Sequence, residues 1–280
     1  MISFGKNTEL LIRVGFFVGI LIIMAVWEIL APRRPLTTRK ATRWVGNLGL
    51  VFIDSIFVRL LFPITLMGLA FLARQRGWGL LNQLQFPFWL HLILGVLIFD
   101  FTVYFQHLMF HAVPLFWRLH MVHHSDMDFD VTTGVRFHPI EIVLSMGIKM
   151  SVVLLIGPLP LSIPIFEILL NGTSMFNHGN VRYPLIIDKW LRLLVVTPEM
   201  HRVHHSTIRW ETNCNFGFNF PWWDRLFGTY RPQPAKGHLG MNIGLDQYKD
   251  PNKLTLPWLV ALPFVGKMGR YPLTPKSGAE

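Results

Sequence analysis

Residues 107–124 read HLMFHAVPLFWRLHMVHH and place five histidines in an apolar, aromatic-rich stretch. Their spacing is H-x3-H followed by H-x2-H-H, and the second pattern returns as HRVHH at residues 201–205. Residues i, i+3 and i+4 share one face of a helix, so each pattern directs its imidazole rings to one side. Because the H-x2-H-H pattern occurs twice, we expect three helical segments whose histidines converge: His107, His111, His120, His123, His124, His201, His204 and His205.

The rest of the sequence predicts an all-α membrane protein. Of its 280 residues 51% are hydrophobic, and the mean hydropathy is +0.40. Four apolar stretches can each cross ~30 Å of hydrocarbon, although any one could instead enter a single leaflet: residues 9–31, 46–73, 87–112 and 141–170. The fourth contains GPLPLSIP at 157–164, and its prolines favour a helical hairpin that turns near Gly157–Pro160.

The distribution of cations predicts the orientation in the membrane. The connection between the second and third stretches has only Arg74 and Arg76, whereas the connection after the first carries Arg33, Arg34, Arg39, Lys40 and Arg43. The positive-inside rule then places the histidines on the cytoplasmic side. We expect an integral-membrane helical bundle whose cytoplasmic helical cap holds a His-rich dimetal site.

One membrane domain is expected to span residues 1–280. Its predicted parts are N-terminal transmembrane helices (1–112), a first cytoplasmic histidine segment (113–140), the helical hairpin (141–175), and a cytoplasmic cap and tail (176–280) that is loosely structured from residue 269. We interpret the net charge of +10 as contact with anionic lipid headgroups, not with nucleic acid, because the cations lie beside apolar runs.

The composition also limits the kind of metal site. The single cysteine, Cys214, excludes an internal disulfide, a thiolate zinc site and an iron–sulfur cluster. Neutral imidazole binds iron, copper, nickel and zinc, and eight histidines exceed the four ligands of one structural zinc. Two metal ions fit this count better than one metal ion with unused rings. A pH-sensing histidine cluster and scattered interfacial histidines are the alternatives.

Two more histidines are candidate ligands. His178, in FNHGN, follows the hairpin and is expected at the same membrane surface. His138, in RFHPIE, precedes the hairpin, and a helix-start role competes there with metal ligation. His91 is expected at the opposite membrane interface, and His238 is not expected to be a ligand.

Three polar side chains share helical stripes with these histidines. Asp100 lies on the stripe of His107, whereas Glu167 and Asn171 lie on that of His178. Metal-bound imidazoles usually donate their second N–H to a carboxylate or carbonyl, so these residues are candidate partners of the ligands. The alternative is an ordinary interhelical hydrogen bond or an ion pair, with Lys149 or Arg59 as partner.

Taken together, the motifs resemble the fatty acid hydroxylase/sterol desaturase superfamily of integral-membrane di-iron oxygenases. The resemblance spans about residues 90–235 and is carried by HLMFH, LHMVHHSD, RFHPIE, FNHGN with VRYP, TPEMHRVHHS and NFGFNFPWWDRLFGTY. It implies two non-haem irons, which zinc could replace in a purified sample. The implied ligands are His107, His111, His120, His123, His124, His178, His201, His204 and His205. Some relatives have an additional histidine pair near the position of His178, so His138 or a water is left to complete the shell.

The resemblance further implies an enzyme that hydroxylates or desaturates a lipid taken from the bilayer, using O2. The sequence has no G-x-G-x-x-G at a strand-to-helix junction and no iron–sulfur ligands, so the electrons are expected from a separate reductase or ferredoxin-like carrier. A basic surface could dock such a carrier, formed by Arg182, Lys189, Arg192, Arg202 and Arg209. The alternative function is a non-catalytic membrane metal-binding or sensor protein.

Overall fold

The computed structural model describes residues 6–273, in which the regular secondary structure is helical. The first seven helices are α1 (Lys6–Leu30), α2 (Lys40–Leu61), α3 (Leu66–Arg76), α4 (Phe88–Ala112), α5 (Pro114–His124), α6 (Pro139–Ile156) and α7 (Ser162–Asn177). All of them except α5, which belongs to the cap, form the bundle. Six shorter ones follow: α8 (Leu185–Leu191), α9 (Pro198–His204), α10 (Arg209–Thr212), α11 (Trp222–Leu226), α12 (Gly237–Gly240) and α13 (Leu256–Val265). Within residues 6–273 there is no β-strand beyond two isolated bridges, which confirms the all-α prediction.

Four helical stretches are long and apolar enough to cross a membrane: Leu10–Leu30, Lys40–Gln83, Phe88–Ala112 and Pro139–Ile156. The second had been predicted as one span over residues 46–73, but α2 ends at Leu61 and α3 starts at Leu66. Pro63 lies in this break, and its missing N–H cannot continue the helical hydrogen bonds. The Thr65 hydroxyl then caps α3 by accepting a 3.0 Å hydrogen bond from the N–H of Gly68.

The predicted helical hairpin is present and turns where expected. Helix α6 ends at Gly157, whose φ of +68° lies in the left-handed region that favours glycine. A β-carbon there would also lie 2.5 Å from the side-chain nitrogen of Asn82, so the turn needs glycine for space as well. His91, expected at the interface, is buried at this end, with Nε2 3.1 Å from the Gly157 carbonyl oxygen.

The opposite end of the bundle carries the cap. Near it, Glu28 of α1 accepts hydrogen bonds from the N–H groups of Val131 (2.7 Å) and Asn180 (2.9 Å). The cap has its own apolar core, in which Trp117 and Met121 of α5 pack with Leu259 of α13. Tyr271 belongs to this core, so the expected loose tail is ordered at least to Leu273, and residues 274–280 lie outside the described range.

Buried charge fixes the segment between α5 and α6. Arg43, predicted as part of a basic connection, is fully buried on α2, where its guanidinium donates to Asp126 (2.6 and 2.8 Å) and Asp130 (2.6 Å). Arg136 is equally buried and donates to the Val122 carbonyl and the Ser125 hydroxyl. Because both contacts reach the last turn of α5 or the residues that follow it, they orient the helix that carries HMVHH.

Candidate metal centre

Nine buried histidines form two adjacent groups beneath the cap. The first group holds His107, His111, His120, His124 and His204, and the second holds His123, His178, His201 and His205. Within each group, one ring nitrogen of every histidine lies within 4.8 Å of the others. None of the nine is more than 3% exposed, so their ring nitrogens cannot form hydrogen bonds with bulk solvent.

The two H-x2-H-H patterns divide between these groups in opposite ways. In α5, the i, i+4 pair His120 and His124 joins the first group, and the residue between them, His123, joins the second. At α9 the assignment is reversed, because His201 and His205 join the second group and His204 joins the first. Each pattern therefore supplies both groups, which explains why it occurs twice.

Two further segments complete the groups. His107 and His111 are an i, i+4 pair in the last two turns of α4 and belong to the first group. His178 caps the C-terminus of α7 and belongs to the second. The groups thus draw on four separate segments that only the folded chain brings together.

Hydrogen bonds to the second ring nitrogen fix the tautomers of four of these rings. Nδ1 faces a backbone carbonyl oxygen in four of them: His107 (Phe216, 2.8 Å), His123 (Arg136, 3.3 Å), His178 (Ser174, 2.7 Å) and His204 (Cys214, 2.7 Å). A carbonyl only accepts, so Nδ1 carries the proton and Nε2 keeps its lone pair. Burial lowers the pKa of His120 to about 3, which favours the neutral form that binds metals.

The donor set fits a metal ion. Nε2 of His178 lies 3.1 Å from Nε2 of His123 and from Nε2 of both His201 and His205. Since the tautomers of His178 and His123 are fixed, their two lone pairs face each other and cannot share a hydrogen bond. Nε2 of His107, His120 and His204 has no hydrogen-bond partner among residues 6–273. A cation between the rings would satisfy these buried nitrogens.

His138, predicted as a candidate ligand, belongs to neither group. It caps the start of α6, where Nδ1 accepts a 3.2 Å hydrogen bond from the N–H of Ile140. Its Nε2 lies 3.2 Å from the carbonyl oxygen of Val260. Both ring nitrogens are therefore engaged, and of the two roles left open by the sequence this is the helix-start role.

Of the three polar residues expected beside the ligands, Asp100 and Glu167 make interhelical contacts, although not with Lys149 or Arg59, and Asn171 bonds within its own helix. Asp100 accepts a 2.7 Å hydrogen bond from the indole of Trp223, and Glu167 forms a 3.1 Å ion pair with Arg13. The amide of Asn171 donates to the Glu167 carbonyl oxygen at 2.7 Å. In the described part of the chain, no hydrogen bond or ion pair joins any of the three to a histidine. Sharing a helical stripe with a histidine therefore does not bring these side chains into contact with it.

The carboxylate that does contact a histidine of the groups is Glu141. Its Oε1 lies 2.7 Å from Nδ1 of His120, and both residues are buried. The sequence signal was available, because Glu141 ends the RFHPIE motif at the predicted start of the hairpin and therefore lies at the same end of the bundle as the histidines.

Only some of the cations predicted to form a basic surface are exposed. Arg202 is fully buried and donates to Glu199 at 2.7 Å, and Arg192 is 8% exposed and pairs with Asp188. Glu199 also lies 3.1 Å from Nε2 of His238, which stays outside both groups. The exposed members of the set are Arg182, Lys189 and Arg209.

A cavity of about 320 Å³ leads from the first histidine group into the bundle. His107 and His120 lie on its wall together with the apolar rings of Phe110, Phe137 and Phe218. Helices α1, α2, α4, α6 and α7 contribute to the rest of the wall, which extends as far as Lys149 and Glu167. The cavity therefore extends from the histidines between helices that are long and apolar enough to cross a membrane.

Comparison with known proteins agrees with this arrangement. Residues 92–229, which include all nine grouped histidines, match the fatty acid hydroxylase family. The ornithine lipid hydroxylase of Rhizobium tropici is 32% identical over 160 residues, covering 56% of this chain and 47% of the relative. Human alkylglycerol monooxygenase is 28% identical over 164 residues, covering 58% of this chain and 34% of the relative.

A longer match is the rat cholesterol 25-hydroxylase, 26% identical over 243 residues, which cover 80% of this chain and 76% of the relative. The chain spans less than half the length of the ornithine lipid hydroxylase and of the alkylglycerol monooxygenase. No solved structure matches the chain significantly. The histidine motifs, their grouping in the fold and the matched segment together identify the chain as a member of the fatty acid hydroxylase superfamily.

Proposed function

We propose that this chain is a membrane-bound oxygenase that hydroxylates a lipid with O2 at two irons held by the nine grouped histidines. The observation that carries the proposal is the pair of all-histidine groups at the end of a cavity that reaches membrane depth. The relatives named above are hydroxylases and monooxygenases, which favours hydroxylation over desaturation.

The proposed ligands are five histidines for one ion and four for the other. Imidazole suits iron, and a cavity that meets the first group leaves room for substrate beside it. When bound, the irons would supply the activation of O2 needed to attack an unactivated C–H bond.

The side chains around the proposed ligands hold the rings in position. Carbonyl oxygens fix the tautomers of His107, His123, His178 and His204, and Glu141 holds Nδ1 of His120. Such partners keep the donor nitrogen pointing at the metal and raise its basicity. The phenyl rings along the cavity exclude water from the place where a hydrocarbon chain would lie.

The site is proposed to lie on the cytoplasmic side of the membrane. The end of the bundle that carries the cap also carries the most basic connection, and Arg39 remains exposed there. The cap also has an apolar surface that would lie in the same membrane interface. This surface is formed by Leu185, Ile186, Trp190, Trp222 and Leu226, which are 40–69% exposed. Lipid could thus reach the cavity without crossing water.

The electron donor is proposed to be a separate reductase or ferredoxin-like carrier. The exposed cations Arg182, Lys189 and Arg209 would give an acidic carrier its docking surface. Arg192 and Arg202 are excluded from that surface because they are buried in ion pairs.

The test is turnover by the full chain in lipid nanodiscs loaded with ferrous iron. We expect reductant-dependent oxygen uptake and a lipid product heavier by one oxygen atom, detected by mass spectrometry. A chain that binds zinc, consumes no oxygen and leaves every lipid unchanged would instead be the non-catalytic metal-binding protein. The matched control is His204→Ala, which removes a proposed ligand and should abolish both signals.

A further inference from the structure

The cavity has a second polar end, away from the histidines and deep in the bundle. Lys149 of α6 and the ion-paired Arg13 and Glu167 line it there. Glu141, which contacts His120, lies on the same helix as Lys149, so the two are separated by roughly 12 Å along the axis at about 1.5 Å per residue. The cavity therefore has imidazoles at one end and charged groups at the other.

Lys149 has no protein partner in the described part of the chain. Its ammonium forms no hydrogen bond or ion pair with any side chain that the structure describes, although it lies close enough to Glu167 and Arg13 to interact electrostatically. Three N–H donors at membrane depth are costly without an acceptor, and such a residue usually marks a binding site. The half-buried side chain opens into the cavity, so an acceptor could reach it from there.

Among the described side chains that line this end of the cavity, Arg13 and Lys149 are cationic and Glu167 is anionic, which leaves a net positive charge. Arg13 and Glu167 form a 3.1 Å ion pair, so the charge of Lys149 is left over. The other acidic groups on the cavity wall, Asp54 and Glu141, interact with each other and lie nearer the histidines. An anionic group would be favoured beside Lys149 and disfavoured beside Asp54 and Glu141. The cavity is therefore polarised along its length.

We propose that Lys149 binds the anionic oxygen of a single-chain lipid, whose hydrocarbon then extends to His107 and His120. This assignment names the class of lipid that the cavity binds. That the bound lipid is the substrate of an oxidation rests on the proposed function. Carboxylate and phosphate share the required chemistry, because each offers charged acceptor oxygens to an ammonium and a neighbouring guanidinium. With the polar end held at Lys149, the position of oxidation is set by the distance from the head group to the histidines.

Binding by the full chain in nanodiscs tests this assignment without turnover. Four probes share one alkyl chain and differ in the head group: palmitate, hexadecyl phosphate, hexadecanol and hexadecylamine. The variants are Lys149→Met, which keeps the length and removes the charge, and Lys149→Arg, which keeps the charge. The matched control is Arg59→Met, which removes an exposed cation of α2 that does not line the cavity.

We expect at least one anionic probe to bind the unmodified chain more tightly than the alcohol or the amine. Lys149→Met should weaken that probe about tenfold, as a charge-assisted hydrogen bond predicts, and Lys149→Arg should restore most of the loss. The other probes and the Arg59→Met variant should change by less than about twofold. The anion that loses affinity identifies the source as a carboxylate or a phosphate.

Equal losses for all four probes, or no preference for either anion, would overturn the assignment. Its failure is distinguishable from failure of the proposed function. Binding that depends on Lys149, without any oxidised product from the iron-loaded chain, would overturn only the oxygenase proposal. Lipid oxidation by a chain whose binding ignores Lys149 would overturn only the head-group site.

Discussion

Nε2 of His178 lies 3.1 Å from Nε2 of His123, and in both rings Nδ1 faces a backbone carbonyl oxygen. Both lone pairs therefore point at each other inside a region where the two rings are fully buried. Without a cation this contact is repulsive, whereas with one it becomes a pair of ligand bonds. The protein should consequently depend on metal for part of its stability.

Removal of metal with a membrane-permeable chelator should lower the unfolding temperature of the chain in nanodiscs, because a ligand that binds only the folded state stabilises it. Ferrous iron added back should restore the original temperature, as followed by intrinsic fluorescence or by differential scanning calorimetry. An unfolding temperature that is unaffected by chelation, with metal loss verified analytically, would contradict a metal ion held between His123 and His178 in the second group.

Glu141→Leu should weaken metal binding at the first group. The carboxylate holds Nδ1 of His120 at 2.7 Å, and loss of such a partner typically costs about 10- to 100-fold in metal affinity. Glu141→Gln keeps an acceptor oxygen and should lose less. Competition with a coloured chelator measures both affinities. If both variants bind iron as tightly as the unmodified chain, Glu141 does not position His120.

His138→Ala should lower stability without changing metal content. The imidazole caps α6 by accepting from the N–H of Ile140, and loss of a helix cap costs about 1 kcal/mol. His138→Asn, which can also cap a helix start, should recover part of that stability. Thermal unfolding and metal analysis of the same samples check both statements. If His138→Ala binds one iron fewer than the unmodified chain, His138 is a metal ligand and this prediction is wrong.

Arg43→Met should be far more damaging than substitution of an exposed cation. It would leave the carboxylates of Asp126 and Asp130 buried without their partner, and breaking a buried ion pair costs about 3–5 kcal/mol. We expect low accumulation in the membrane and a lower unfolding temperature, whereas Arg39→Met, on the exposed neighbour, should behave as the unmodified chain. Equal stability of the two variants would show that Arg43 does not hold the α5 segment.

The sequence could predict the fold because its signals are local. The apolar runs had the length of a membrane span, and the prolines at 158–164 marked the hairpin turn that the structure has. The length of the second apolar run does not predict the break between α2 and α3, because apolar residues continue on both sides of Pro63. Proline at an otherwise continuous span was the signal that could have located it.

The site was less predictable because its contacts depend on how helices pack. Spacing alone places the histidines of each motif on one face of a helix, but the division of HMVHH and HRVHH between two groups depends on how four separate segments come together in the fold. Asp100 lies on the same helical stripe as His107, yet it accepts a hydrogen bond from Trp223. The indole comes from a distant segment of the sequence, so helical spacing does not predict this contact. Arg202 looked like a surface cation in the sequence and is buried against Glu199 in the fold.

The most direct test of the central claim is the iron content of the chain purified without oxygen, measured beside His123→Ala, His204→Ala and the double variant. Each substitution removes a ligand from a different group, so we expect two irons in the unmodified chain, about one in each single variant and none in the double variant. All should insert normally into the membrane, since apolar packing holds the bundle, and all three variants should lose most of the hydroxylase activity. A single iron in the unmodified chain, or a double variant that retains as much iron as either single variant, would contradict two separate histidine-bound ions.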